Sequence, residues 1–252
     1  MTQKIIAFVN QKGGVGKTTT AINVAAQLAT SNKVLLVDLD PQGNATSGLG
    51  VIKDHEYTTY DVMCNETNIT KVITATHVAQ LSVLPSNPNL AGAEVELVNK
   101  EGREFVLSNS LKNLEYDYIL IDCPPSLGLL TINALTAATE IIIPVQAEYY
   151  ALEGLSQLLN TIQAVKSTTN PSLELMGIVI TMFDKRNSLS EQVQKELENY
   201  FGDKLFNTLI PRNVRLAEAP SFGKTIFEHD RWSKGARSYK ALSKEIQART
   251  QN

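Results

Sequence analysis

Cysteine is scarce. The chain holds two, Cys64 and Cys123, far apart and in no C-x-x-C pair. That spacing argues against a zinc or iron–sulfur site and predicts a protein of the reducing cytosol. Long hydrophobic runs are missing too. The longest are short, such as Ile141–Val145, against the roughly 18 apolar residues of a membrane span. A single lysine precedes the first apolar run, which is no signal-peptide layout. Histidine is rare: His55, His77 and His229 are isolated and share no metal-ligand spacing. The one tryptophan, Trp232, stands beside Arg231 and reads as a packing residue. No Pro/Ser-rich linker and no repeat interrupts the chain, so one domain is expected over residues 1–252.

With 43% apolar and 19% charged residues the composition is that of an ordinary globular protein. The net charge of −3 hides an asymmetry. Residues 184–252 carry 13 Lys and Arg against 9 Asp and Glu, while residues 1–183 carry 10 against 17. Such an imbalance is often only a solvated face. It also suits a surface that meets a polyanion.

Buried strands read as short continuous apolar runs, and helices as 3.6-residue periodicity. Lys4–Val9 and Lys33–Asp38 fit the first pattern, with a helix between them marked by Ile22, Ala25, Ala26, Leu28 and Ala29. Leu81–Pro85, Tyr118–Asp122, Glu140–Val145 and the run L-M-G-I-V-I-T-M-F read as further strands. F-N-T-L-I-P is expected as a last short one. Helices are expected from Ser126 after two prolines, along Leu152, Leu155, Leu159, Ile162 and Val165, over Ser190–Tyr200 and over Ser233–Ala248. All-apolar strands alternating with helices predict an α/β fold: one doubly wound, mostly parallel sheet with helices on both faces.

Between the first strand and the first helix stands N-Q-K-G-G-V-G-K-T-T-T, Asn10–Thr20. Glycines let a backbone curl with its N–H groups pointing inward, and a helix N-terminus adds partial positive charge. In this P-loop context Lys17 is expected on the β- and γ-phosphates and the Thr18 hydroxyl on Mg²⁺. A ligand-free glycine turn has similar composition, but not G-K-T-T followed by a helix and a strand-ending aspartate. The usual pattern has glycine five residues before Gly16. Here Gln11 occupies that position and a second lysine, Lys12, follows.

Carboxylates end two of the predicted strands. Asp122 follows four apolar residues and is expected to hold Mg²⁺; Ser126, past Pro124 and Pro125, is the better cap for the next helix. Asp38 and Asp40 stand in V-D-L-D-P-Q-G-N and are candidates for orienting an attacking water. Gly43, Gly48 and Gly50 suit a loop that moves with nucleotide state.

The loop K-G-G-V-G-K-T resembles the deviant Walker A of the ParA/MinD group of P-loop ATPases. Four more segments extend the likeness over nearly the whole chain: D-L-D-P-Q-G-N, I-D-C-P-P-S-L-G, Pro144–Gly154 and Ile210–Lys224. Together they are similar to the short, Soj-like ParA proteins that segregate chromosomes or plasmids. The resemblance implies an ATP- and Mg²⁺-dependent ATPase with nucleotide held by Lys12, Gly13, Gly14, Val15, Gly16, Lys17, Thr18 and Thr19. Pro211 and Asn213 are implied near the adenine. Lys12 is implied to reach the nucleotide of a second subunit in an ATP-sandwich homodimer. Asp40 is implied to activate water, and Asp38 to support the Mg²⁺ and phosphate site. Arg186 and Arg215 match the family's contacts to double-stranded DNA, bound without sequence preference, and Arg212, Arg231, Lys234 and Arg237 extend that surface. A ParB-type partner that stimulates slow hydrolysis and a cytoplasmic, nucleoid-associated location complete the expectation.

The first strand begins near residue 4, so no N-terminal helix-turn-helix is expected, nor specific operator binding. A relative that positions a protein cargo would share every motif. A MinD-like membrane ATPase needs an amphipathic C-terminal helix, and A-L-S-K-E-I-Q-A-R-T-Q-N offers only Leu242 and Ile246. A metabolic P-loop enzyme or a nitrogenase-reductase-like electron carrier is a third alternative, and the latter needs paired cluster cysteines, which are absent.

Overall fold

The computed structural model describes residues 3–148 and 151–251, without side chains at 151–153 and 251. Tyr149, Tyr150 and the Leu152 side chain, all part of the sequence expectation, lie outside the described residues. The strands are β1 (Lys4–Phe8), β2 (Val34–Asp38), β3 (Thr74–Ala75), β4 (Leu81–Leu84), β5 (Tyr118–Asp122), β6 (Glu140–Gln146) and β7 (Glu174–Thr181). The helices begin with α1 (Lys17–Leu28), α2 (Asn44–Gly48), α3 (Thr59–Cys64), α4 (Ala93–Glu96) and α5 (Val106–Leu111). They continue with α6 (Leu129–Ala137), α7 (Ala151–Thr168), α8 (Ser188–Phe201), α9 (Val214–Glu218), α10 (Ile226–His229) and α11 (Lys234–Gln251). Among the described residues no helix is long and apolar enough to cross a membrane.

The seven strands form one sheet in the order β3-β4-β2-β5-β1-β6-β7. Every pairing is parallel except the β3–β4 edge. Side chains alternate across the sheet, so each apolar strand feeds two cores. Ala7, Leu35, Val37, Ile119, Ile121, Ile141 and Ile143 share one core with residues of α3 to α8. Ile6, Phe8, Val34, Leu36, Leu120 and Ile142 face α1 and α11. That double burial is why the strands read as unbroken apolar runs. The register sets Phe8 and Asp38 on either side of Asp122 at the carboxyl ends, where ligands of open α/β sheets bind.

Three expectations change. The helix after the two prolines starts at Leu129, and Ser126 does not cap it. The first-turn donors Leu129 N and Leu130 N point instead at the Glu94 carboxylate, 2.8 and 3.3 Å away. F-N-T-L-I-P runs beside β7 but is no strand: it makes an isolated bridge, Phe183 with Pro211, and another, Ile178 with Leu205, just precedes it. Its middle is drawn off the ladder: Asn207 N and the Thr208 hydroxyl both donate to Glu245 on α11. Trp232 is not a packing residue. It is 77% exposed in the turn before α11, touched by the Arg231 guanidinium 4.9 Å from its ring.

Candidate functional site

The loop from Asn10 to Gly16 turns at the carboxyl edge of β1 because Gly14 and Gly16 adopt φ of 74° and 86°, a region closed to most side chains. Asn10 anchors its start, donating to Pro144 O (2.8 Å) and accepting from Lys12 N (2.9 Å). The Thr181 hydroxyl, at the end of β7, donates to Val15 O at 2.7 Å. Helix α1 then begins at Lys17 with no side-chain cap and no acid in its first turn. Its N–H donors are left for an anion.

Lys17 is 6% exposed and donates to Lys12 O at 3.1 Å. Burial lowers its pKa, opposed by the charges of Asp122, Cys123 and Asp40. Asp122 is fully buried, and among the described residues neither of its carboxylate oxygens has a hydrogen-bond partner. Burial, reinforced by the Asp38 charge, holds its carboxyl well above the usual range; the Thr18 hydroxyl dipole and Lys17 act the other way. An orphaned carboxylate beside the Thr18 hydroxyl is an oxygen donor set that fits a hard divalent cation such as Mg²⁺.

Asp38 is buried but engaged. One oxygen accepts from Thr46 N (2.8 Å) and the Thr46 hydroxyl (2.7 Å), the other from Asp40 N (3.3 Å). Burial still pushes its carboxyl up to about 6. Asp40, 8% exposed, accepts from Gln42 N at 2.9 Å through one oxygen. Lys12 leaves this pocket and meets Glu148 at 2.5 Å on the surface.

Beside the loop lies a cavity of about 330 Å³ lined by Gly16, Thr19, Pro211, Asn213 and Tyr239. Pro211 and Asn213 thus stand at the nucleotide loop although some 200 residues separate them from it in sequence. Met182, in a left-handed conformation (φ 52°), and Tyr239, bonded to the Thr20 hydroxyl at 3.1 Å, also line it. Sequence reasoning missed both. Met182 follows a strand end, which is a usable signal; Tyr239 has none.

A second cleft, about 1020 Å³, shares Pro211, Arg212 and Val214 with that cavity. Arg186, Arg212, Lys234 and Arg237 line it together with Lys185, which the sequence reading omitted. Arg186 forms a two-pronged bond to Asp184, whose carboxyl it holds down at about 2. Arg215 lies outside this cleft, paired with Glu218 (2.9 Å) and near Asp230 (3.8 Å). Arg231 lines a neighbouring hollow with Trp232, Arg237 and Lys240.

A family model described as an AAA domain (AAA_31) matches residues 3–175. Over 249 residues the chain is 56% identical to the sporulation initiation inhibitor protein Soj of Bacillus subtilis (strain 168), covering 97% of this chain and 98% of that protein. The chain belongs to the ParA/Soj family of chromosome-partitioning ATPases. It is likewise 55% identical to the chromosome partitioning protein ParA of Myxococcus xanthus, covering 98% of this chain and 88% of that one. Among solved structures, a cobyrinic acid a,c-diamide synthase from Mycobacterium smegmatis with ADP and magnesium matches with TM-score 0.87 and 35% identity, covering 99% and 96% of the two chains. In this chain the loop that carries Lys17 stands at the carboxyl edge of the sheet, after β1.

Proposed function

We propose that this protein is a DNA-partitioning ATPase: it hydrolyses ATP with Mg²⁺, dimerises around ATP, binds double-stranded DNA without sequence preference as that dimer, and answers to a ParB-type partner. The observation that carries the reading is the buried Lys17 set against the unpartnered Asp122 carboxylate at a capless helix N-terminus. A buried carboxyl that no protein donor satisfies is destabilising unless a ligand completes it.

Loop N–H groups and Lys17 bind the β- and γ-phosphates, and the cavity beside Pro211 and Asn213 takes the adenine. Thr18 and Asp122 would hold Mg²⁺, with Asp38 supporting them through the segment that bears Asp40; bound there, the cation would supply charge neutralisation on the phosphates. Among the described residues one Asp40 oxygen meets no protein donor, and it orients the attacking water. Lys12 exchanges Glu148 for the phosphates of the second subunit, where it stabilises the transferring phosphoryl group as an arginine finger does in trans.

Two copies of the five-cation cleft in one dimer double the phosphate contacts, which raises affinity steeply and makes it salt-dependent. Hydrolysis returns the protein to weakly binding monomers. The dimer is thereby held on the nucleoid until ParB acts. The 35% identity to the diamide synthase is well below the 55–56% to the partition proteins, and a shared fold does not transfer chemistry.

The deciding experiment measures DNA binding by wild type and Asp40→Ala with ATP, ADP and no nucleotide. Binding with ATP alone, persisting longer in Asp40→Ala, is expected. Binding that ignores the nucleotide sinks the cycle.

A further inference from the structure

The Asp40 loop and the Asp122–Gly128 loop come from different strands, yet one short segment holds both. At its start Ser86, fully buried, donates its hydroxyl to Asp40 O at 2.8 Å and its N–H to the Thr46 hydroxyl at 2.9 Å. Thr46 is the residue that grips Asp38. Asn87 then caps the 3₁₀ turn over Pro88–Gly92, its side chain accepting from Asn89 N at 3.1 Å, and the turn runs directly into α4. At the far end Glu94 accepts from Leu129 N and Leu130 N, the first donors of α6. The loop between Asp122 and α6 also abuts the P-loop, since a Cβ on Gly13 would lie 3.9 Å from Pro125. Gly128 makes the Glu94 grip possible: a Cβ there would sit 2.5 Å from a Glu94 carboxylate oxygen.

We propose that Glu94 is a positioning residue for ATP hydrolysis. It clamps the loop that follows Asp122 to the same short segment whose other end, Ser86, holds the Asp40 loop. The metal-binding carboxylate and the water-orienting carboxylate are thereby kept in one register. The inference rests on the ATPase reading above. A plain helix cap stabilises the fold as a whole and has no preference among catalytic steps. A positioning residue acts on turnover, because displacement of a reacting group by about 1 Å lowers rates up to a hundredfold.

The test compares wild type, Glu94→Ala, Glu94→Gln, Gly128→Ala and the Glu94→Ala/Gly128→Ala double variant. MgATP affinity and steady-state turnover are measured on the full chain. Glu94→Ala is expected to lower turnover about tenfold or more with affinity within about threefold of wild type. Glu94→Gln, which keeps one acceptor oxygen, recovers part of the loss. Gly128→Ala pushes the carboxylate off α6 from the other side and gives the same defect. The double variant is no worse than Glu94→Ala, because both changes break one contact. Additive losses, or losses that follow the unfolded fraction, overturn the inference. If Glu94→Ala does not fold, Gly128→Ala decides: wild-type turnover there overturns it. Normal turnover in Glu94→Ala sinks this inference alone, whereas a wild type without MgATP turnover sinks the ATPase reading beneath it.

Discussion

Lys12 Nζ lies 2.5 Å from a carboxylate oxygen of Glu148, so within one chain the first lysine of the P-loop is already paired. Both side chains are nearly half exposed, and such pairs contribute about 0–1 kcal/mol. The lysine is therefore held loosely and can be given up to a phosphate.

Replacing it separates binding from hydrolysis. Lys12→Gln should change thermal stability by less than about 1 kcal/mol and leave nucleotide binding intact. Dimerisation-coupled turnover should fall by about a thousandfold, the low end of what a cation supplied in trans contributes. Size-exclusion chromatography with ATP and a phosphate-release assay check it. Full turnover in this variant removes Lys12 from the active site.

Asp40→Ala should bind MgATP normally and keep it. Hydrolysis drops by about a hundredfold or more, the scale of a lost proton-transfer group. Chromatography of the bound nucleotide after incubation should find ATP where the wild type holds ADP. Unchanged hydrolysis refutes the assignment.

The basic cleft predicts a salt signature. Arg186→Ala with Arg212→Ala should weaken binding to duplex DNA for all sequences alike and lower the slope of log affinity against log salt by about 2. Arg231→Ala, outside that cleft, should leave the slope within about 0.5 of wild type. Equal effects from both variants would place the DNA elsewhere.

Acid should stabilise the nucleotide-free protein. Burial raises the Asp38 carboxyl to about 6 in the folded state, against roughly 4 when unfolded. Between these values the folded chain holds a proton that the unfolded chain has lost. Its contribution is thus complete below about pH 4 and lost as pH rises through about 6. Asp122 shifts in the same direction. Glu218 and Glu228, which are lowered, act oppositely only nearer their unfolded values. Melting temperature should rise from pH 7 to 5, and Asp38→Asn should flatten that slope. MgATP affinity should fall over the same interval, since the ionised carboxylates serve the cation. A slope unchanged by Asp38→Asn assigns the effect to other groups.

Much of this was legible because it is local. Glycines, Lys17 and Thr18 adjoin one another, and a strand buried on both faces announces itself as an apolar run ending in Asp38 or Asp122. What stayed hidden is long-range. Ser126 looked like a cap by its type and place, but the α6 donors found Glu94, 35 residues earlier. The run F-N-T-L-I-P has strand composition, yet Glu245 competes for its backbone and hydroxyl donors. Trp232 looked apolar enough to bury, but a turn between two helices offered it no wall.

The sequence by itself determined the parallel sheet, the phosphate loop and the chemical types at its edge, because each depends on neighbours a few residues apart. It did not determine which cations share a cleft, that Asp38 is spent on Thr46 while Asp122 is left unpartnered, or that Lys12 turns away to Glu148. Those outcomes depend on which distant groups packing brings within 3 Å of one another, and a buried polar atom takes whichever partner arrives there.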